Sequence, residues 1–401
     1  MWQVLLDTYL KNLIRVGALT LRLPDGTIRR FGPGGAGAPD ISVHVHDETT
    51  LRALATNPAL ALGEAYMDQR LTIVGDDLHG LLELVLRNMA MGNERGPAKL
   101  QSALRDLTRS LAQRNPVSRA KANVAHHYDL SGALYELFLD EDRQYSCAYF
   151  KTPEDTLDQA QAQKKAHIAA KLRLEPGMEV LDIGCGWGGM ALTLARDHGA
   201  KVVGVTLSEE QLKLARARVE AAGLQDRIRF ELTDYRLVTG EFDRIVSVGM
   251  FEHVGAPNFR TYFDKVRQLL KPDGVALIHT IGRFTPPGTT NPWITRYIFP
   301  GGYIPALSEI MAAVEKARLV PTDIEVWRLH YARTLRHWYD RFMAREAEAV
   351  ALYDTRFVRM WKFYLAASEQ TFRFAGQGVY HLQLTRDQTA VPLTRDYLYT
   401  A

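Results

Sequence analysis

Between residues 178 and 282 the chain alternates short apolar runs with amphipathic stretches. Residues 179–183, 201–207, 228–233, 243–248 and 274–280 have strand length and carry β-branched or alternating apolar positions. Residues 189–198, 209–222 and 258–270 carry the helical period. This alternation predicts a parallel sheet covered by helices on both faces, because parallel neighbours need a crossover. Residues 323–329 and 379–384 read as later strands of the same sheet. Residues 1–95 follow another pattern and predict a small α+β unit. Val4, Leu5, Leu6, Leu10, Leu13 and Ile14 recur at helical spacing, and runs 18–23 and 27–31 flank the turn Pro24-Asp25-Gly26 as a hairpin. Residues 41–46 alternate apolar and polar, which puts His44 and His46 on one face of a half-exposed strand, with no third metal ligand spaced nearby.

Charge changes this picture in one place. The 401 residues hold 49 basic and 46 acidic side chains, a net charge of +3. In 94–121, however, Arg95, Lys99, Arg105, Arg109, Arg114, Arg119 and Lys121 face only Glu94 and Asp106. Leu100, Leu104, Leu107 and Leu111 form one stripe through the same stretch, so it reads as a basic linker helix. Its basic face is either solvated or turned toward anionic lipid headgroups. No aromatic platform or nucleic-acid motif accompanies the charge, so no nucleic-acid partner is expected. With 46% hydrophobic and 24% charged residues, the composition excludes a wholly disordered or collagen-like chain. Cys147 and Cys185 lack CxxC spacing, which argues against structural zinc or a disulfide framework and fits a reducing cytoplasm. No apolar run approaches the roughly 18 residues of a transmembrane span, and residues 1–7 do not read as a secretory signal.

Candidate chemistry begins at Val180-Leu181-Asp182-Ile183-Gly184-Cys185-Gly186-Trp187-Gly188-Gly189, a strand running through a glycine-rich turn into a helix. Glycines let a ligand approach the backbone, and the helix start offers free N–H donors. Gly184, Gly186 and Gly189 also satisfy GxGxxG, the dinucleotide pattern. Two features favour S-adenosylmethionine over NAD. Asp182 at the strand end suits an ammonium group and opposes a pyrophosphate. The second strand ends in Thr206-Leu207-Ser208, without the acid that would hold a dinucleotide's ribose. Cys185 reads as a small loop residue, since no His neighbours it.

Several uncommon strings need a joint explanation. They are Ala125-His126-His127-Tyr128-Asp129-Leu130-Ser131, Gln144-Tyr145-Ser146-Cys147-Ala148-Tyr149-Phe150, Gly249-Met250-Phe251-Glu252-His253-Val254, Leu277-Ile278-His279-Thr280-Ile281-Gly282, Tyr297-Ile298-Phe299-Pro300-Gly301-Gly302 and His330-Tyr331-Ala332-Arg333-Thr334-Leu335. With the glycine loop, these closely resemble the cyclopropane-fatty-acyl-phospholipid synthase family, related to the mycolic acid cyclopropane synthases. The likeness runs through 122–401 in the family's order, and 1–95 resemble less distinctly the N-terminal extension of the longer bacterial synthases. It implies a Rossmann-like class I methyltransferase sheet with a helical cap, and the domains 1–95, linker 96–121 and methyltransferase 122–401. The activity implied is methylene transfer from S-adenosylmethionine to the cis double bond of a phospholipid acyl chain, with a bicarbonate ion as base. The resemblance implies that Glu252, His279 and Tyr331 hold this ion by side chains and Cys147 and Ile281 by backbone groups. For the cofactor it adds Tyr145, Ser146, Thr206, Gln211 and Tyr235 to Asp182, Gly184, Gly186 and Gly188. His126 and His127 lie in a family string and are read as part of a helix over the site, not as metal ligands.

Residues 283–308 carry Phe284, Trp293, Tyr297, Ile298, Phe299 and Tyr303, either a lid lining an acyl channel or ordinary core. A methylene- or methyl-branched fatty acid is the nearest alternative product, since all three outcomes begin with the same methyl attack. Methylation of a soluble amine, or lipid binding without catalysis, stands further off. The expected partner is an unsaturated phospholipid at the inner face of the membrane, with peripheral attachment. Residues 1–95 are left as a lipid or dimer contact, and a homodimer stays open.

Overall fold

A computed structural model describes residues 1–35, 37–92 and 132–399. The basic stretch 94–121 and the string holding His126 and His127 lie outside the described residues. The described chain forms two compact units. One comprises residues 1–92, 288–298 and 332–377, the other 132–287, 299–331 and 378–399. Residues 288–298 and 332–377 thus pack with the N-terminal segment, although they follow the glycine loop in sequence.

The first unit holds a four-stranded sheet of order β2-β1-β3-β4, with β1 Gly17–Arg22, β2 Ile28–Gly34, β3 Asp40–Val45 and β4 Leu71–Ile73. β1 and β2 form the expected hairpin, and β3 joins β1 in parallel. The helix Trp2–Leu13 buries Leu6, Leu10 and Leu13, while Val4 stays exposed. His46 ends in a hydrogen bond to Thr72 at 2.9 Å. Trp293 belongs to this unit's core, 1% exposed. It stacks edge-on against Phe363, with ring centroids 4.7 Å apart, and its indole N–H donates to Met67 Sδ at 3.3 Å. A side chain at Gly63 would come within 2.4 Å of that indole, so the close approach requires glycine.

The second unit is built on seven strands in the order β10-β11-β9-β8-β5-β6-β7. These are β5 Glu179–Ile183, β6 Lys201–Thr206, β7 Ile228–Leu232, β8 Phe242–Val248, β9 Leu270–Arg283, β10 Val320–Trp327 and β11 Gln377–Thr385. β5 pairs in parallel with β6 and β8, β6 with β7, and β8 with β9, whereas β10 and β11 are antiparallel. The fold is therefore the expected class I methyltransferase sheet. One core packs Leu181, Ile245 and Ile278 on helix Phe259–Leu269, and the other packs Val180, Val246 and Leu277 on helices Leu157–Leu172 and Gly189–His198. Each fully buried aliphatic side chain stabilises by about 1.5–3 kcal/mol, so both faces anchor the sheet. The strand order turns back at β5, flanked by β6 and β8. Open α/β sheets leave a crevice beyond the strand ends at such a point.

Candidate active site

The crevice is present. A cleft at the carboxyl ends of β5, β6 and β8 is lined by Asp182, Gly184, Gly186, Thr206, Gln211 and Tyr235, together with Tyr145 and Ser146 from the preceding segment. Gly184 has a φ of 82°, and a Cβ there would lie 2.8 Å from Met250 Cβ, so the turn tolerates no side chain. The Gly184 and Cys185 N–H groups donate to Val205 carbonyl oxygen at 2.9 and 3.1 Å, which ties the loop to β6. Gly188 differs from the other expected contacts. It does not line the cleft but caps helix Gly189–His198, with the space its Cβ would need filled by the Phe230 ring.

Asp182 is the electrostatic centre of this cleft. It is 2% exposed, and its Oδ2 has no partner among the described residues. Burial alone pushes its carboxyl up to about 7. A lone buried carboxylate is costly, and a ligand ammonium at the strand end relieves that cost. Thr206 Oγ1 donates to Gln211 Oε1 at 3.1 Å, which orients both side chains on the far wall. Asp234, beside Tyr235, is held by Arg236, whose Nη2 donates at 2.6 Å. These groups suit S-adenosylmethionine: an unpaired acid for its ammonium, polar amides and hydroxyls for its ribose, and an aromatic ring for its adenine.

A second group of residues sits deeper, at the ends of β8 and β9. Glu252 lies in a short 3-10 turn after β8, and its Oε1 accepts the Ile281 N–H at 2.6 Å. Its Oε2 is buried without a partner among the described residues, and burial raises the carboxyl to about 7. His279 on β9 is 1% exposed, and its Nδ1 is hydrogen-bonded to His381 Nε2 at 2.7 Å. Burial, reinforced by the charges of Lys164 and Lys171, holds its imidazole well below the usual histidine range, so it is neutral. Cys147 packs with Trp327 and Val379 in an apolar cluster whose edge is formed by Tyr149, Ile281 and Tyr331. The Trp327 ring meets His279 edge-on at 5.4 Å. All five expected residues thus share one neighbourhood. Ile281 enters it with its N–H already given to Glu252, so that amide orients the carboxyl.

Three neighbours were not foreseen. Lys164 is fully buried, and its ammonium donates to Gln144 Oε1 at 2.7 Å and Ser146 Oγ at 2.8 Å. Burial lowers it to about 7 despite the carboxylate of Asp140. His253 lines the cofactor cleft, with burial pulling it down to about 4. His381 backs His279. Lys164 left a trace in the sequence, because Gln161, Lys164, Ile168 and Lys171 repeat every three or four residues on the buried face of one helix. His381 left none. Near it, His167, Glu325 and His381 bring one potential ligand atom each within 4.8 Å of one another. The Lys171 ammonium already sits 2.6 Å from Glu325 Oε2, so that carboxylate has its cation.

Known proteins resemble this chain in sequence and fold. The mycolic acid cyclopropane synthetase family matches residues 116–382, and a domain family of unknown function matches residues 5–93. Cyclopropane-fatty-acyl-phospholipid synthase of Escherichia coli is 40% identical over 352 residues, covering 88% of this chain and 90% of its own. A probable fatty acid methyltransferase of Pseudomonas putida is 39% identical over 366 residues, covering 88% of each. Among solved structures, mycolic acid cyclopropane synthase CmaA1 in complex with SAH and CTAB superposes with a TM-score of 0.64 at 32% identity, over 68% of this chain and 99% of that one. The chain belongs to the mycolic acid cyclopropane synthetase family of S-adenosylmethionine-dependent methyltransferases.

Proposed function

We propose that this enzyme transfers a methylene group from S-adenosylmethionine to the cis double bond of an unsaturated phospholipid acyl chain, forming a cyclopropane fatty acid. The observation that carries the reading is the unpartnered Oε2 of Glu252, buried next to neutral His279 and an apolar wall. When bound, S-adenosylmethionine supplies an electrophilic methyl group, and bicarbonate supplies a base for the proton that ring closure releases.

The chain's own residues divide the remaining work. Asp182 holds the cofactor's ammonium, Gly184 and Gly186 bring the loop backbone close, and Thr206, Gln211 and Tyr235 take the nucleoside. Ser146, backed by the Lys164 ammonium, and Tyr145 close the near wall. Glu252, His279 and Tyr331 hold the bicarbonate by side chains, with Cys147 offering backbone. A carboxyl raised to about 7 can donate a hydrogen bond from Oε2 to an anion, as a carboxylate cannot. Burial of Cys147, Trp327 and Val379 excludes water, which would otherwise quench a carbocation. Gly188 acts beneath the loop by permitting the close Phe230 packing.

Attachment to the membrane is peripheral in this reading, through the basic stretch 94–121. Among the described residues no helix is long and apolar enough to cross a membrane. Binding to anionic vesicles weakens with salt if this holds, since screening acts over about 10 Å at 0.1 M.

The test is direct. Incubating the protein with S-adenosylmethionine and unsaturated phospholipid vesicles yields acyl chains with cyclopropyl proton signals and the matching mass increment. Exomethylene or methyl-branched signals select the second product class. Absence of methyl incorporation into any lipid overturns both.

A further inference from the structure

We infer that His381 is a positioning residue that fixes His279 as the Nε2–H tautomer, a neutral donor toward the bound anion. The inference rests on the proposed role of His279 in holding that anion. His381 lies on β11 and is fully buried, 102 residues from its partner in sequence. Its ring lies over Trp327, with centroids 3.9 Å apart, so it has little freedom to turn.

Two neutral imidazoles joined by one hydrogen bond must share a single proton between Nδ1 of His279 and Nε2 of His381. Both rings are neutral for the same reason. Burial is the main cause, and Lys171 and Lys164 add repulsion to any positive charge on either ring. Glu325, paired with His381 across β10 and β11, has its Oε2 bound by His167 and Lys171 at 2.8 and 2.6 Å and makes no hydrogen bond to His381.

The remaining nitrogen of His381 decides the direction. Its Nδ1 is buried and has no partner among the described residues. A buried N–H without an acceptor is rarer in folded proteins than an under-used acceptor. The proton of His381 therefore resides on Nε2, where it has an acceptor, and Nδ1 is bare. His279 Nδ1 is then the acceptor in the 2.7 Å bond, and the single proton of the neutral His279 ring stands on Nε2. That nitrogen donates, which is what an anion requires. The reverse arrangement would turn a bare nitrogen lone pair toward a negative charge.

The tautomer is measured by two-bond proton–nitrogen NMR on the full chain labelled with ¹⁵N-histidine at pH 7.5, with resonances assigned from His279→Gln and His381→Gln spectra. The expected pattern for His279 is a protonated Nε2 and a bare Nδ1. An Nδ1–H tautomer or an imidazolium at His279 overturns the inference. Kinetics add a second readout. Supporting hydrogen bonds to active-site imidazoles are typically worth about 10- to 100-fold, so His381→Leu lowers kcat by that order with KM for S-adenosylmethionine little changed. The side-chain amide of His381→Gln supplies a donor near the same place and recovers most of the loss. A His381→Leu enzyme as fast as wild type, or a folded His381→Gln enzyme as slow as His381→Leu, overturns it as well. If no lipid is methylated by any variant, the proposed function fails, while the NMR pattern still decides the tautomer.

Discussion

Glu369 in the first unit and Glu252 in the second are both buried acids, and they are treated in opposite ways. Glu369 is flanked by two arginines and His79. Arg373 Nε donates at 2.8 Å and Arg336 Nη2 at 3.2 Å to its Oε1. Its Oε2 accepts no aligned hydrogen bond among the described residues, but Arg336 Nε and His79 Nε2 lie 3.0 and 3.2 Å away. Burial would raise this carboxyl, but the contacts with His79 and Arg373 and the charge of Arg336 bring it below the usual range. Glu252 accepts the Ile281 amide on one oxygen and has no partner among the described residues for the other; burial outweighs the help of Ile281, its own backbone and Thr280, and the carboxyl stands near 7. Asp182 shares that condition. A satisfied buried acid holds a fold together. A deprived one stores an unmet interaction that a ligand completes, at a cost to the unliganded fold.

The sharpest way to break this contrast is to neutralise each acid in turn. Glu252→Gln lowers kcat by roughly 10³-fold, in the range general acid–base groups contribute, while calorimetric binding of S-adenosylhomocysteine is preserved. Lost cofactor affinity would move Glu252 into the cofactor site. Glu369→Ala removes the shared partner of Arg336 and Arg373; because both guanidiniums keep access to solvent, the cost is about 1–3 kcal/mol in urea unfolding of the unit that holds it. An equal loss of stability in Glu252→Gln would erase the distinction. Asp182→Asn weakens S-adenosylmethionine about 10- to 100-fold, the worth of a hydrogen bond to a charged group, yet the unliganded protein melts no lower than wild type.

The smallest effect is one of sign. Asp182 and Glu252 bind protons more tightly folded than unfolded, so their contribution to stability falls as pH rises from about 4 toward about 7. Glu369 binds protons less tightly when folded. Its contribution is present above the unfolded carboxyl range and is lost as pH falls through its lowered value. Asp182→Asn therefore flattens the decline between pH 5 and 7 in thermal melts, and Glu369→Gln flattens the acid limb. Matching profiles for the two variants would contradict the opposed shifts.

Much of the second unit was legible because its code is local. Strands 179–183 and 201–206 show as short apolar runs, and β9 outran its expected range by the most, to Leu270–Arg283. The glycine loop shows its purpose in three residue types. The neighbourhood of Cys147, Glu252, His279, Ile281 and Tyr331 was reached only through the joint likeness of scattered strings. Trp293 was left open between channel and core, because an aromatic in an insertion looks the same in either place. Gly188 is in sequence one more loop glycine, and only its packing against Phe230 sets it apart.

The sequence by itself determined the alternating α/β architecture, the cofactor loop with its acid at the strand end, and the family. Those features repeat at short range, where hydrophobic period and turn chemistry act. Tertiary structure alone decided which acids are deprived and which are paired. It also decided that Ile281 spends its N–H on Glu252, and that residues 332–377 pack with the N-terminal segment. Partnership of a buried polar group depends on strands and helices brought together from distant parts of the chain. His279 and His381 show why: nothing local to either residue encodes the hydrogen bond between them.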